Sequence, residues 1–252
     1  MASVNPADRP SPLLEVRQLR RSFGGLVAVG GIDFDLLKGE ILGLVGPNGS
    51  GKTTVIHLLT GELKTHAGEI NFCGQSLIGL KPHEICRRRI GRTFQLVRVM
   101  QQMTALDNVL IGRLYGSSPV SMTRSRAEAL ELLALVGLAD RASMPAGALT
   151  YVDQKGLELA RALATQPQVL LLDEWLAGLN PAELDDGIHL LQRVQESGVS
   201  IIMVEHVIHA IRSLCDRVIV MNAGRIIAEG TPDAALAAPD VVRAYLGDHH
   251  AP

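Results

Sequence analysis

The sequence predicts an α/β fold: a buried sheet, a small antiparallel β subdomain and an inserted α-helical subdomain. Three observations carry that reading. "GEILGLVG" (39–46) and "PQVLLLDE" (167–174) are nearly uncharged runs, as strands buried on both faces require. Short alternating stretches fill positions 13–37, which suits antiparallel strands. From about 98 to 165 the pattern becomes helical, most strongly in "SRAEALELLALVGLAD" and "QKGLELARALAT".

The elements follow in order. Residues 1–12, rich in Pro, Ser and Ala, read as a disordered lead-in. "LLEVRQLRRSF" and "IDFDLL" read as the antiparallel strands, and "GEILGLVG" as a central strand. "TTVIHLLTGE" is an apolar helix, and "HAGEINFCGQSL" returns to short strands. After the helical insertion and the strand "PQVLLLDE", "PAELDDGIHLLQRVQESG" reads as a helix. Pro181 lies in its first turn and Gly198 stops it. Then come "VSIIMVEH", a helix from about Val207, and "DRVIVMNAGRIIAEG" with Ala-Gly in a hairpin turn. A helical segment follows, with 249–252 as a tail.

Composition excludes several classes. The chain has 252 residues, 47% of them apolar, which suffices for one large domain or two small ones. Net charge is −2 and aromatics make up 3%, so neither a basic footprint nor a base-stacking platform argues for nucleic acid. Cys73, Cys86 and Cys215 are odd in number and lack CxxC spacing, which fits free thiols in a reducing compartment. No apolar run is long enough to span a bilayer, and the N-terminus lacks the apolar core of a signal peptide. A cytoplasmic chain is expected, reaching a membrane only through a partner.

"GPNGSGKT" (46–53) satisfies G-x-x-x-x-G-K-[ST] at every fixed position. Glycines let successive backbone N–H groups face one anion, and the following helix adds its positive end. Lys52 would reach outer phosphates, and the Thr53 hydroxyl would hold a Mg²⁺ bridging them. Asp173 and Glu174 end the second buried strand. Asp173 suits the Mg²⁺ shell, through water, and Glu174 suits polarising a water for in-line attack. His57 and the "RRRI" run from Arg87 are expected on the surface or packed.

In this order the motifs resemble the ATP-binding subunit of ABC transporters, over about 13–248. The resemblance implies a P-loop NTPase core with the two subdomains described, and the ligands ATP and Mg²⁺. Phe23 matches the aromatic that stacks on adenine, and Asn48, Gly49, Ser50, Gly51, Lys52, Thr53 and Thr54 match Walker A. Gln95 in "GRTFQ" matches the glutamine that touches Mg²⁺ and the attacking water. "LLLDE" matches Walker B, with Asp173 toward the metal shell and Glu174 catalytic. "AGLNP" matches the D-loop, and His206 the switch histidine at the terminal phosphate. "LTYVDQ" sits at the signature, so Thr150, Tyr151, Val152, Asp153 and Gln154 would complete the ATP site of a paired cassette.

"GRTFQLVRVMQQMTALDNVLIG", "DEWLAGLNP" and "PDVVRAYLGD" are similar to the ATPases of branched-chain amino acid importers. That implies a second cassette (a distinct chain or another copy), two permeases, an indirect solute-binding protein and a peripheral position at the cell membrane. The "RRRI" run would then lie near a permease contact. An exporter ATPase and an ATP-binding regulatory subunit with weak hydrolysis are the alternatives.

Two departures stand out. Val152 occupies a glycine position, and a β-branched residue forced to positive φ would be strained. Such strain would weaken the partner's ATP site and make the two sites unequal; the alternative is that the loop takes negative φ and Val152 is neutral. Trp175 stands where Pro is common; a purely structural packing role is expected, with fixing Glu174 from the D-loop as the alternative.

Overall fold

The computed structural model describes residues 11–116 and 121–246. Residues 1–10 of the expected lead-in and all of the expected tail, 249–252, lie outside the described residues.

Two sheets organise the chain. The first pairs β2 (Leu26–Leu36), β1 (Leu14–Phe23), β4 (Ala67–Phe72) and β5 (Gln75–Ser76), in that order and antiparallel. Strand β1 matches the stretch read as a strand, β2 begins well before its stretch 32–37, and register shifts interrupt their pairing. The second sheet has the order β10 (Arg225–Gly230), β9 (Arg217–Asn222), β3 (Ile41–Val45), β8 (Ser200–Val204), β7 (Val169–Asp173) and β6 (Ile90–Arg92). Its strands run parallel except β10, which returns from β9 through Ala223 and Gly224, both at positive φ. Such a two-residue turn matches the right-handed twist of a hairpin.

Strands β3, β7 and β8 are buried at every position. Their side chains alternate between two cores, as the two-residue period of a strand demands. Leu42, Leu44, Leu171, Ile202 and Val204 enter the core shared with the antiparallel sheet and helix α1 (Lys52–Leu59). Ile41, Val45, Leu170, Leu172, Ile201 and Met203 enter the opposite core, under α6 (Pro181–Glu196) and α7 (Ile208–Leu214).

A third core joins α3 (Ala105–Tyr115), α4 (Met122–Leu135) and α5 (Tyr151–Ala164). These helices lie within the stretch read as helical. The short helix α2 (Pro82–Arg87) and strand β6 were not read from the sequence. Three residues are too few for a periodic signal, and β6 is defined by pairing with β7. Helices α8 (Pro232–Leu236) and α9 (Pro239–Leu246) close the described chain.

Local chemistry explains the helix starts. Asn180 caps α6 reciprocally with Glu183, at 3.0 and 2.9 Å, and Pro181 fills the first position. Thr150 caps α5, its hydroxyl accepting from the Asp153 N–H at 3.2 Å while the Asp153 carboxylate accepts from the Thr150 N–H at 3.3 Å. Each such cap is worth about 1 kcal/mol.

Candidate active site

Sheet order builds the site. In β3, β8 and β7, adjacent in space, Leu44 pairs with Val204, and Val204 with Asp173. The chain therefore leaves all three strands at one edge. The glycine loop follows β3, Glu174 follows β7, and Glu205 and His206 follow β8. Open parallel sheets bind ligands at this edge.

The loop depends on two glycines. Gly46 has φ +148°, and a Cβ there would sit 2.1 Å from the Met221 carbonyl oxygen. Gly51 has φ +108°, and a Cβ there would meet the Ala28 carbonyl oxygen at 2.2 Å. No other residue type fits either place. Lys52 is buried, and its Nζ donates to the carbonyls of Gly46 at 2.8 Å and Pro47 at 3.0 Å. Burial lowers the pKa of this ammonium, while the carboxylates of Glu174 and Asp173 favour its charge.

A cleft of about 820 Å³ opens over the loop. Phe23, Asn48, Gly49, Gly51, Lys52, Thr53, Thr54, Gln95, Glu174 and His206 line it, all of them predicted from the sequence. Leu26, Val27, Ala28 and Ala223 also line it and were not foreseen. The apolar run "LVA" after the glycine pair was the available signal. Phe23 is half-exposed at the apolar end, with the Arg21 guanidinium 4.8 Å from its ring centroid.

Glu174 is engaged on both oxygens. Gln95 Nε2 donates to Oε2 at 2.8 Å, and His206 Nε2 lies 3.0 Å from Oε1. Glu174 itself has φ +52°, a strained backbone for a residue with a side chain.

Ser50 and Asp173 lie buried behind the cleft lining. Ser50 Oγ and Asp173 Oδ1 have no hydrogen-bond partner, and such orphans need an occupant such as water or an ion. Burial raises the Asp173 pKa, opposed first by the Arg92 guanidinium. Among the described residues no cluster of three His, Cys, Asp or Glu side chains forms a metal cage. Isolated oxygens beside a phosphate loop suit Mg²⁺, which keeps waters and shares its shell with phosphates. The residues thus fit a phosphate-bound Mg²⁺.

Thr150 to Gln154 do not line this cleft. Tyr151 and Val152 are exposed at the start of α5. Val152 is helical and is absent from the residues of positive φ, so the expected backbone strain does not exist. The capping box made by Thr150 and Asp153 starts the helix here and needs no glycine. Trp175 is buried, and its indole N–H donates to the Lys155 carbonyl at 3.2 Å. It packs beside Leu179 and Gly187 as the packing role required.

The remaining residues are structural. His57 lies 3.6 Å from Glu62. In the arginine run, Arg88 donates to Gln75 and Arg89 to the Gln166 carbonyl, both at 2.8 Å, so two of its members are spent within the fold. The three cysteines are free thiols, and burial pushes Cys215 up to about 12.

The family model described as "ABC transporter" matches residues 29–177, and "Branched-chain amino acid ATP-binding cassette transporter" matches 225–251. The chain is 39% identical to the high-affinity branched-chain amino acid transport ATP-binding protein BraF of Pseudomonas aeruginosa, over 94% of this chain and 98% of that protein. The corresponding protein LivG of Escherichia coli K12 gives the same identity and coverage. An ABC transporter cassette solved in its ADP conformation superposes with TM-score 0.85 at 29% identity, over 95% of this chain and 100% of that one. Similarity over nearly the full length, joined to an intact phosphate loop and carboxylate pair, makes the chain a member of the ABC transporter family, an ATP-binding cassette whose ATPase activity is coupled to transport.

Proposed function

We propose that this chain hydrolyses ATP to energise uptake of branched-chain or related amino acids through membrane permeases. The convergence of Lys52, Gln95, Glu174 and His206 on one cleft carries the chemical part. The similarity of residues 225–251 to the branched-chain cassettes supports the importer reading over an exporter.

ATP lies with its base against Phe23 and its phosphates over residues 48–54. Lys52 exchanges its two loop carbonyls for phosphate oxygens, and the exposed N–H groups of the loop hold the remaining negative charge. Thr53, Gln95 and, through water, Asp173 would hold a Mg²⁺ ion, which would neutralise phosphate charge. Glu174 takes the proton of the attacking water as its oxygen bonds the γ-phosphorus in line; the bond to the β–γ bridging oxygen breaks and that oxygen leaves with ADP, while His206 donates to the terminal phosphate. Intact Glu174 and His206 favour hydrolysis over a purely regulatory role.

Thr150 to Gln154 face a second cassette, either a distinct chain or another copy, and complete its ATP site. With Val152 helical, the two sites need not be unequal. The domain spans about 13–248, with a helical subdomain near 98–165. Among the described residues no helix is long and apolar enough to cross a membrane. Attachment to the inner face of the membrane is through permeases, with a solute-binding protein beyond them. A groove of about 330 Å³ lined by His83, Cys86, Arg92, Phe94 and Tyr115 would receive a permease segment. It uses neighbours of the arginine run rather than the run itself.

Uptake of labelled leucine into vesicles carrying the co-purified assembly tests the reading. ATP-dependent uptake that Lys52→Ala abolishes is expected. Leucine-independent ATP turnover with no uptake of any branched-chain amino acid would overturn the importer assignment.

A further inference from the structure

Glu174 holds its strained φ of +52° at the head of the turn Trp175–Ala177. Such a conformation persists only where surrounding contacts over-determine it. Two buried ionisable side chains, Lys155 and Glu205, hydrogen-bond to the backbone of this turn.

Lys155, on α5, donates from Nζ to the Trp175 carbonyl at 2.7 Å and the Ala177 carbonyl at 2.6 Å. Glu205, after β8, accepts from the Leu176 N–H at 2.7 Å and from the His206 N–H at 3.4 Å. Lys155 is 3% exposed and Glu205 1%. Burying two charges is costly, and their mutual attraction repays it only when further hydrogen bonds are made. Here those bonds all go to the backbone around Glu174 and His206. Burial lowers the Lys155 pKa, while Glu205, Glu158 and Glu174 favour its charge.

The same helix grips the segment bearing Gln95. The buried Glu158 carboxylate accepts from the Phe94 N–H at 3.3 Å and the Arg98 N–H at 2.8 Å. Helix α5 is therefore tied both to Glu174 and to the chain that carries its partner Gln95. Its first turn, Thr150 to Asp153, is the surface offered to a second cassette.

We propose that Lys155 and Glu205 are positioning residues that hold the Glu174 turn and transmit displacement of α5 to the Glu174 carboxylate. This rests on the reading of Glu174 as the residue that activates water. When a partner's nucleotide draws on the first turn of α5, Lys155 moves the Trp175 and Ala177 carbonyls with it. Glu205 keeps the Leu176 and His206 amides in register, so Glu174 and His206 shift together.

The test uses the full chain in its co-purified assembly, with MgATP as probe. Trp175 is the sole tryptophan of this chain, and its indole is bonded to the Lys155 carbonyl. The emission difference between the assembly and the same assembly carrying Trp175→Phe therefore reports the turn directly. Lys155→Met should lower kcat about tenfold or more while KM for ATP stays within about twofold. Lys155→Arg should restore most of the turnover. Glu205→Gln keeps an acceptor but loses charge, and should fall between them. ATP should change Trp175 emission in wild type and Lys155→Arg, but not in Lys155→Met.

Unchanged kcat in Lys155→Met and Glu205→Gln would overturn the proposal, as would an undiminished emission response. Equal losses of kcat and ATP affinity, without rescue by Lys155→Arg, would reduce Lys155 to a fold-stabilising role and overturn it too. Glu174→Gln separates the underlying reading. If it leaves turnover intact, the role of Glu174 fails. If it abolishes turnover while Lys155→Met does not, only the present inference fails.

Discussion

Gln95 Nε2 lies 2.8 Å from Glu174 Oε2, although 79 positions separate the two residues. His206 meets the other oxygen at 3.0 Å. Each carboxylate oxygen keeps a further lone pair, so Glu174 can receive a water proton with both neighbours in place. Glu174→Gln should cut turnover by about 10²–10⁴-fold, the usual worth of a positioned general base. MgATP binding should survive, because Lys52 and the glycine loop are untouched. Steady-state hydrolysis beside equilibrium nucleotide binding checks both halves, and joint loss would mark Glu174 as structural.

Gly51→Ala should damage the phosphate loop. The new methyl would lie 2.2 Å from the Ala28 carbonyl, at φ +108°. The backbone term alone costs about 1–2 kcal/mol, and the clash adds to it. Binding of MgATP should fall at least about tenfold, since 1.4 kcal/mol is one decade. Gly25→Ala is the control: a Cβ there meets nothing within 4 Å, so nucleotide binding should be near wild type. Titration of a fluorescent ATP analogue distinguishes the two.

Val152→Gly should leave ATP turnover of the assembly within about twofold of wild type, as the backbone there is already helical. Its stability should fall by up to about 1 kcal/mol, the cost of glycine in a helix. Chemical denaturation and ATPase assays measure these separately. A several-fold rise in turnover would instead mean that the paired state needs a glycine at this position.

Glu205 should make stability fall as pH rises. Burial raises its pKa from 4.5 to about 7, against backbone N–H groups and Lys155 that favour the charged form. The folded state therefore binds this proton more tightly than the unfolded state. Its contribution is full below about pH 4.5 and is lost as pH passes through about 7. The shift corresponds to roughly 3 kcal/mol at most. Glu205→Gln should flatten this component between about pH 4.5 and 7, seen as a smaller difference between denaturation midpoints at the two ends.

The phosphate loop, the carboxylate pair and the buried strands were legible because each is a short local pattern. "GPNGSGKT" constrains backbone dihedrals within eight consecutive residues, and "VLLLDE" announces burial on both faces. Pro181 likewise marks a helix start and Gly198 its stop, each by its own backbone preference. By itself the sequence determined the family, the elements that carry the site and most of the cleft residues.

Tertiary structure decided what depends on distant pairings. Strand β6 exists because β7 is beside it, and three residues carry no period of their own. Val152 illustrates a second limit: its residue type warned of strain, but the conformation was set by the Thr150–Asp153 cap, which makes the turn helical. No local pattern marks Lys155 or Glu205 in the sequence. Only the packing of α5 against the turn after β7 showed both buried, with their hydrogen bonds spent on the backbone around Glu174. Local patterns report the dihedral and burial preferences of neighbouring residues, whereas these contacts join residues 20 and 29 positions apart and form only when the sheet and helices close.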